Sequence, residues 1–236
     1  MVNQAMKTVG IIGGIGPEST IEYYRLIIAS YRERRGDGSY PSLLVNSIDL
    51  KRMVDLISAN RLSEVEEYLV DELKRLANAG ADFAALAANT PHIVFGAVRA
   101  RSPVPLISIV EVTCEAARGR GLRRVGLFGT RFTMQAGFYS EAFDREGITV
   151  VTPGPKEQVY IHDKYMSELL NGIFIPETRG GLLAIVEQMK AREGIEGLIL
   201  GGTELPLILR GDEHAGVPFL DTTKIHADAI VSRLLS

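Results

Sequence analysis

Residues 8–19, T-V-G-I-I-G-G-I-G-P-E-S, contain the pattern that decides the fold. Thr8–Ile12 is a short apolar run that predicts a strand, and the glycine-rich turn after it leads into a helix from about Ser19. Along the rest of the first half, short apolar runs alternate with helical patterns. This alternation is typical of α/β proteins with parallel sheets.

The second half of the chain repeats these landmarks. Arg124–Phe128 has the sequence R-V-G-L-F and precedes Gly129, just as the first strand precedes its glycine turn. A predicted helix follows, from about Thr133 to Arg145. Farther on, the apolar run Gly197–Leu200 ends in a polar turn, as Phe83–Ala87 does. The repetition predicts two similar domains with parallel sheets, related by a pseudo-two-fold axis.

We expect residues 1–106 plus 216–236 to form the first α/β domain and residues 107–215 to form the second. The predicted strand Val217–Leu220 and the helix Thr222–Leu235 would then return to the first half. Because no long linker separates the halves, we expect the ligand to bind in a cleft between the two domains.

The composition argues against several classes of protein. Hydrophobic residues make up 46% of the 236 residues and charged residues 23%, as in ordinary globular proteins. The net charge of −3 and the lack of a basic cluster argue against a nucleic-acid partner. No apolar run reaches about 18 residues, and Met1–Lys7 is too short and polar for a signal peptide. We therefore expect a cytoplasmic protein without a membrane partner.

The cysteine and histidine content predicts that no metal is bound. The single cysteine, Cys114, cannot form an internal disulfide and rules out a cysteine-based metal site. The four histidines are scattered without the spacing of metal ligands; they are His92, His162, His214 and His226.

The glycine turn at residues 13–17 superficially resembles a dinucleotide-binding fingerprint. It lacks the third glycine, holds Pro17 inside the turn, and is not followed about 20 residues later by an acidic residue that ends a second strand. Its N–H groups at a helix start suit a small anion such as a carboxylate. The alternative is a purely structural turn from strand to helix.

Two predicted strands end in similar polar segments, A-N-T-P-H at residues 88–92 and G-G-T-E-L-P at residues 201–206. The carboxyl ends of parallel strands face the ligand crevice of an α/β fold. Small residues there let a ligand approach the backbone, and Asn89, Thr90 and Thr203 offer neutral hydrogen bonds to a carboxylate. Alternatively, these side chains only cap helices.

Four segments in this order resemble the landmarks of the aspartate/glutamate racemase family: G-I-I-G-G-I-G-P-E-S-T-I-E-Y-Y, A-N-T-P-H, F-G-T-R-F-T and L-G-G-T-E-L-P-L. The resemblance runs from about residue 8 to the C-terminus. It implies a two-domain α/β fold, a cofactor-independent enzyme and a small carboxylate or amino-acid ligand. It also implies a homodimer.

The two cysteines that characterise the resembled family are missing. One precedes N-T in the first half and the other precedes T-E in the second, and these places hold Ala88 and Gly202. Two facing thiols would remove the α-proton and deliver a proton to the opposite face without a cofactor. Ala88 and Gly202 can do neither. Cys114 lies within a predicted helix, and we interpret it as a core residue.

The resemblance implies that much of the binding frame remains. The residues expected to hold the substrate or line the floor of its site are Gly13, Gly14, Asn89, Thr90, Thr130 and Thr203. Arg52 and Lys164 are candidates for a distal carboxylate, although both also suit solvated surface positions.

Two other groups are candidates for the missing acid–base function. Glu204 follows Thr203, and His92 follows the N-T-P turn. A carboxylate or an imidazole serves as a general base when burial tunes its pKa. Both also have structural interpretations, Glu204 beside a helix N-terminus and His92 as a cap.

The sequence therefore predicts a member of the racemase superfamily that acts at the α-carbon of an amino acid or small dicarboxylate. Without the thiol pair, lyase or isomerase chemistry is expected rather than two-thiol racemisation. The alternatives are a catalytically inactive protein that binds or senses a carboxylate, and a deliberate cysteine replacement, which suits Ala88 but not Gly202.

Overall fold

The computed structural model of the chain describes residues 6–236. Residues 1–5, part of the N-terminal stretch considered above, lie outside the described residues. The chain divides into two compact units, of which the first extends to Ile109 and also includes His226–Ser236. The second unit comprises Val110–Ile225. Each unit contains its own sheet, and strand pairing within both sheets is predominantly parallel. The predicted α/β class is confirmed.

The first unit has a four-stranded sheet in the order β2-β1-β3-β4, in which every pairing is parallel. Its elements along the chain are β1 (Thr8–Gly13), α1 (Pro17–Arg35), β2 (Ser42–Ser47), α2 (Leu50–Ser58), α3 (Leu62–Asn78), β3 (Phe83–Leu86), a 3-10 helix (Thr90–Val94), α4 (Phe95–Arg101) and β4 (Leu106–Ile107). Helix α5 (Ile109–Gly119) carries the chain onward.

The core of the first unit forms where helices cover its central strands. Helix α1 buries Tyr23, Ile27 and Tyr31, which are spaced four residues apart and so share one face. Strand β1 contributes Val9 and Ile11 to the same core. Burial of such side chains contributes about 1.5–3 kcal/mol each, which holds the strand ends in place.

The second unit has a five-stranded sheet in the order β6-β5-β7-β9-β8. Its elements are β5 (Arg124–Gly129), α6 (Arg131–Gln135), α7 (Phe138–Asp144), β6 (Thr149–Val151), α8 (Pro155–Ser167), a 3-10 helix (Leu169–Asn171), α9 (Pro176–Glu193), β7 (Gly197–Gly201), α10 (Leu205–Ile208), β8 (Glu213–His214), β9 (Val217–Asp221) and the first residues of α11 (Thr222–Leu235). All pairings are parallel except that of β8 with β9.

Strand β9 differs from the expectation that it returns to the first half. Its residues pair with β7, Leu198 opposite Phe219 and Leu200 opposite Asp221, so the strand belongs to the second sheet. Its short, mostly apolar sequence does not specify which sheet it joins, because an edge of either sheet would bury it. Only the part of α11 from His226 onward belongs to the first unit.

Within residues 6–236, no helix combines the length and the apolar composition that a membrane span requires.

Candidate active site

In the first unit, strand β3 leads directly into a buried polar turn. Ala87 and Ala88 follow the strand and are buried, and the Ala87 N–H donates to the Ile12 carbonyl at 2.9 Å. Asn89 is 3% exposed and precedes the 3-10 helix that begins at Thr90. The turn therefore places Asn89 and Thr90 at the carboxyl end of the sheet, where α/β folds bind ligands.

The glycine turn after β1 lies at the same end of this sheet. Gly14 has φ +80, and a Cβ there would lie 2.7 Å from Ile48 N, so only glycine fits. Its N–H donates to Thr20 Oγ1 at 2.8 Å. Helix α1 then begins at Pro17, which has no N–H. The Gly14 N–H is therefore not available to an anion and Pro17 offers no N–H, which favours the structural interpretation of this turn.

His92 is buried beside Ala88, with 4% of its surface exposed. Its Nδ1 lies 3.1 Å from the Ala88 carbonyl, and since a carbonyl only accepts, Nδ1 carries the proton. The ring stacks on Phe95 with centroids 4.5 Å apart. Burial, with a smaller effect of His226, lowers the pKa of His92 to about 3. His92 is therefore neutral at neutral pH and a weak base.

His226 is a second buried histidine of the first unit. Its Nε2 donates to the Ile107 carbonyl at 3.1 Å, and its Nδ1 accepts from the Tyr23 hydroxyl at 2.7 Å. Burial lowers the pKa of His226 to about 4. These bonds anchor α11 to β4 and α1, which is a structural role.

In the second unit, strand β7 leads into a buried cluster that we call the β7 cluster: Tyr165, Thr203 and Glu204. Glu204 is 1% exposed, and its Oε2 accepts hydrogen bonds from the Tyr165 hydroxyl and, at 3.0 Å, from Thr203 Oγ1. Tyr165 projects from α8 and is 4% exposed. Burial and the nearby Glu204 raise the pKa of Tyr165 well above its usual value, so its hydroxyl stays protonated and donates.

Tyr165 also fills the space beside Gly202. A Cβ built on Gly202 would lie 2.9 Å from Cζ and 3.0 Å from the hydroxyl oxygen of Tyr165, and closer still to Cε2. A side chain at residue 202 therefore requires the Tyr165 ring to move. Sequence reasoning missed Tyr165 because Ile161 and Tyr165 have the four-residue spacing of an ordinary buried helix face.

Thr130 directly follows strand β5, as Gly202 directly follows strand β7. Its side chain caps helix α6, because Oγ1 accepts from the Thr133 N–H at 3.2 Å. Thr130 is 9% exposed. Helix capping is therefore an observed role of Thr130, and ligand binding by this residue stays a prediction.

The two candidate cations interact with neighbours on their own helices or in their own units. Lys164 forms an ion pair with Glu168, the residue that directly follows α8. Arg52 is exposed on α2, and its guanidinium lies over the Tyr68 ring, 4.0 Å from the centroid. Cys114 is 4% exposed on α5, and burial raises the pKa of its thiol to about 11, which fits the predicted core residue.

The sequence pattern of the Asp/Glu/Hydantoin racemase family matches residues 12–230. The chain belongs to this family. A Yersinia pestis structure named as a candidate Asp/Glu racemase is 31% identical, with a TM-score of 0.89 over 98% of this chain and 100% of that one. An aspartate racemase homologue from Pyrococcus horikoshii OT3 is 35% identical, with a TM-score of 0.84 over the same shares of the chains. An uncharacterised protein of Pectobacterium carotovorum subsp. carotovorum is 32% identical over 118 residues, 49% of this chain and 75% of that protein.

In this member of the Asp/Glu/Hydantoin racemase family, the residues at the ends of strands β3 and β7 include no thiol. Neither β3 nor β7 is followed by a thiol, since Ala88 and Gly202 follow them and the chain's one cysteine lies on α5. The β7 cluster instead supplies a phenol, an alcohol and a carboxylate in direct contact. Such a set can donate, accept and relay protons.

Proposed function

We propose that this protein acts without a cofactor at the α-carbon of an amino acid or small dicarboxylate. Two observations support the substrate class: membership of the Asp/Glu/Hydantoin racemase family and the aspartate or Asp/Glu names of two similar solved structures. The observation that carries the proposal is the β7 cluster, since a carboxylate that is 1% exposed beside two hydroxyls is costly to bury for packing alone.

The reaction we propose is a lyase or isomerase step rather than two-thiol racemisation. By resemblance, Ala88 and Gly202 stand at the cysteine positions, and Tyr165 fills the side-chain space of the second. Of the two substitute bases, Glu204 is favoured over His92, because a histidine with a pKa of about 3 binds a proton poorly at neutral pH.

The proposed binding frame consists of residues at the strand ends and two distal cations. Its members, carried over by resemblance, are Gly13, Gly14, Asn89, Thr90, Thr130, Thr203, Arg52 and Lys164. Neutral donors and helix starts favour a carboxylate without a large cationic cluster. Arg52 and Lys164 would have to exchange their present partners, Tyr68 and Glu168, for a distal carboxylate.

The test is a thermal-shift screen of amino acids and small dicarboxylates, followed by product analysis of each hit. Turnover of a hit without racemisation supports the proposal. Rapid interconversion of aspartate or glutamate enantiomers would contradict it, because that outcome requires an acid–base group at both proton-transfer positions.

A second candidate function is a carboxylate-binding sensor without activity. The observation that favours it is the loss of free space at Gly202, which Tyr165 occupies, together with the weak basicity of His92. In the same screen, a hit that binds tightly and is recovered unchanged after long incubation would support the sensor.

We further propose that the protein is a homodimer, as the resemblance implies, and that it is cytoplasmic, as the sequence composition indicates. Light scattering coupled to size-exclusion chromatography measures the mass directly, and a value near 25.8 kDa, the mass of one chain, would contradict the dimer.

A further inference from the structure

We propose that Tyr165 and Glu204 replace the missing thiol of the second unit as a proton relay, so that the protein exchanges a substrate α-proton on one face only. This inference rests on the proposed function and assigns its acid–base group. It is carried by three features of the second unit: the position of the Tyr165 ring, its bond to Glu204, and the burial of both.

The Tyr165 hydroxyl lies where the family's chemistry requires a proton-transfer group. Its oxygen is 3.0 Å from the position of a Cβ on Gly202, at the end of strand β7. A cysteine sulfur would extend from that same Cβ, so the phenol oxygen reaches the region that a thiol would occupy. The glycine is what makes room for the ring, because any side chain there would collide with it.

Glu204 makes the phenol usable as a base. Tyr165 donates its proton to Glu204 Oε2, and Thr203 donates to the same oxygen at 3.0 Å. The phenol lone pair is then available to accept a proton while the phenol proton moves to the carboxylate. Neither residue is more than 4% exposed, so water competes little for these bonds.

The proposed step balances without a further reactant. The α-carbon–hydrogen bond breaks, and its electron pair stays on the substrate as an enolate. Tyr165 takes up the released proton, and the proton that Tyr165 held passes to Glu204, which becomes a carboxylic acid. Tyr165 remains a neutral phenol throughout, so its strongly raised pKa does not oppose the step. The return step reverses both transfers.

The relay acts on one face because the first cysteine position carries no acid or base, and the neighbouring His92, with a pKa of about 3, binds a proton poorly at neutral pH. Ala88 stands at the first cysteine position by resemblance, and an alanine side chain carries no exchangeable proton. A proton removed by Tyr165 is therefore returned to the same face. In heavy water, the protons held by Tyr165 and Glu204 exchange with solvent deuterium before the return step, so deuterium is left at the α-carbon with the configuration retained.

The experiment incubates wild type with L- and D-aspartate, L- and D-glutamate, and L- and D-malate in heavy water. Proton NMR measures α-deuteration, and chiral chromatography measures configuration. We expect deuteration of at least one probe with retained configuration, and a loss of about 10² to 10⁴-fold in Tyr165→Phe and Glu204→Gln. Glu204→Gln keeps an acceptor for Tyr165 but is too weak a base to take its proton.

Tyr139→Phe is the matched control, because Tyr139 is a tyrosine of the same unit that is 1% exposed and hydrogen-bonds through its hydroxyl to Thr113. It should exchange at the wild-type rate. If Tyr165→Phe does not fold, the rate of α-deuteration by Glu204→Gln tests the relay instead.

Exchange that survives both substitutions would overturn the relay but leave the proposed function standing. Inversion at a rate equal to exchange would overturn the one-face assignment. Absence of α-deuteration by the wild type on all six probes would also overturn the relay. Whether the proposed function stands is decided separately, by turnover of a hit in the ligand screen.

Discussion

The Tyr165 ring occupies the volume that a side chain at residue 202 would need, with Cζ 2.9 Å from the position of a Cβ on Gly202. The backbone of Gly202 does not adopt the left-handed conformation that favours glycine. Packing against Tyr165, and not backbone freedom, is therefore the reason that this position excludes a side chain. The two residues form a complementary pair across the contact between β7 and α8.

This complementarity predicts that Gly202→Ala destabilises the protein by about 1–3 kcal/mol, the usual cost of overpacking a core. In a Tyr165→Ala background, the same change should cost much less, because the ring is gone. Chemical denaturation of the wild type, both single variants and the double variant measures this coupling.

Gly180→Ala is the control for this cycle. Gly180 lies within α9 of the same unit, and a Cβ there meets nothing within 4 Å. We expect this variant to be stabilised by about 0.5–1 kcal/mol, as alanine is in an open helix position. Purely additive costs in the Gly202 and Tyr165 cycle would contradict the steric explanation.

The fold was predictable from sequence because its signals are local. The strand Thr8–Ile12 and its glycine turn appear as β1 (Thr8–Gly13) and the start of α1. The helix predicted from Thr133 to Arg145 is instead two short helices, α6 and α7, since Gly137 between them adopts φ +81 and breaks the hydrogen-bond ladder. Periodicity alone does not reveal such a break.

A second prediction concerns stability at alkaline pH. Burial raises the pKa of both Tyr165 and Tyr139, so above about pH 10 the unfolded tyrosines lose protons that the folded ones keep. The free energy of unfolding should then fall by about 1.4 kcal/mol per pH unit for each tyrosine. Urea unfolding between pH 9 and 11 should show a shallower slope in Tyr165→Phe and in Tyr139→Phe. An unchanged slope in Tyr165→Phe would mean that this phenol ionises as readily in the folded protein.

A third prediction concerns acid. Burial lowers the pKa of His92 to about 3 and of His226 to about 4, below the ordinary value of 6.5. As the pH falls below 6.5, the unfolded histidines bind protons that the folded ones do not, so stability falls by about 1.4 kcal/mol per pH unit for each. His92→Gln, which keeps a donor for the Ala88 carbonyl, should remove the contribution of one histidine to this loss of stability. Denaturation at pH 7, 6 and 5 measures it, and an equal loss in the variant would contradict the buried neutral imidazole.

The site was only partly predictable, because its decisive contact is not local in sequence. Thr203 and Glu204 stand out as polar residues after an apolar strand, and the structure joins them in one hydrogen-bonded cluster. Tyr165 lies 39 residues from Glu204 and is indistinguishable in sequence from the other buried residues of its helix face. Side chains that share a cluster through tertiary packing leave no spacing signal.

The last prediction separates ligand binding by Thr203 from its role within the β7 cluster. Thr203→Val removes the hydroxyl that donates to Glu204 at 3.0 Å and keeps a similar shape, whereas Thr203→Ser keeps the hydroxyl. If Thr203 also holds a ligand carboxylate, valine should weaken binding of a screen hit by about 1–3 kcal/mol, and serine should restore most of it. Calorimetric titration gives the affinities, and thermal unfolding reports the cost to the cluster. A valine variant that melts earlier but binds with unchanged affinity would show that Thr203 only supports Glu204, and the carboxylate would then have to bind elsewhere.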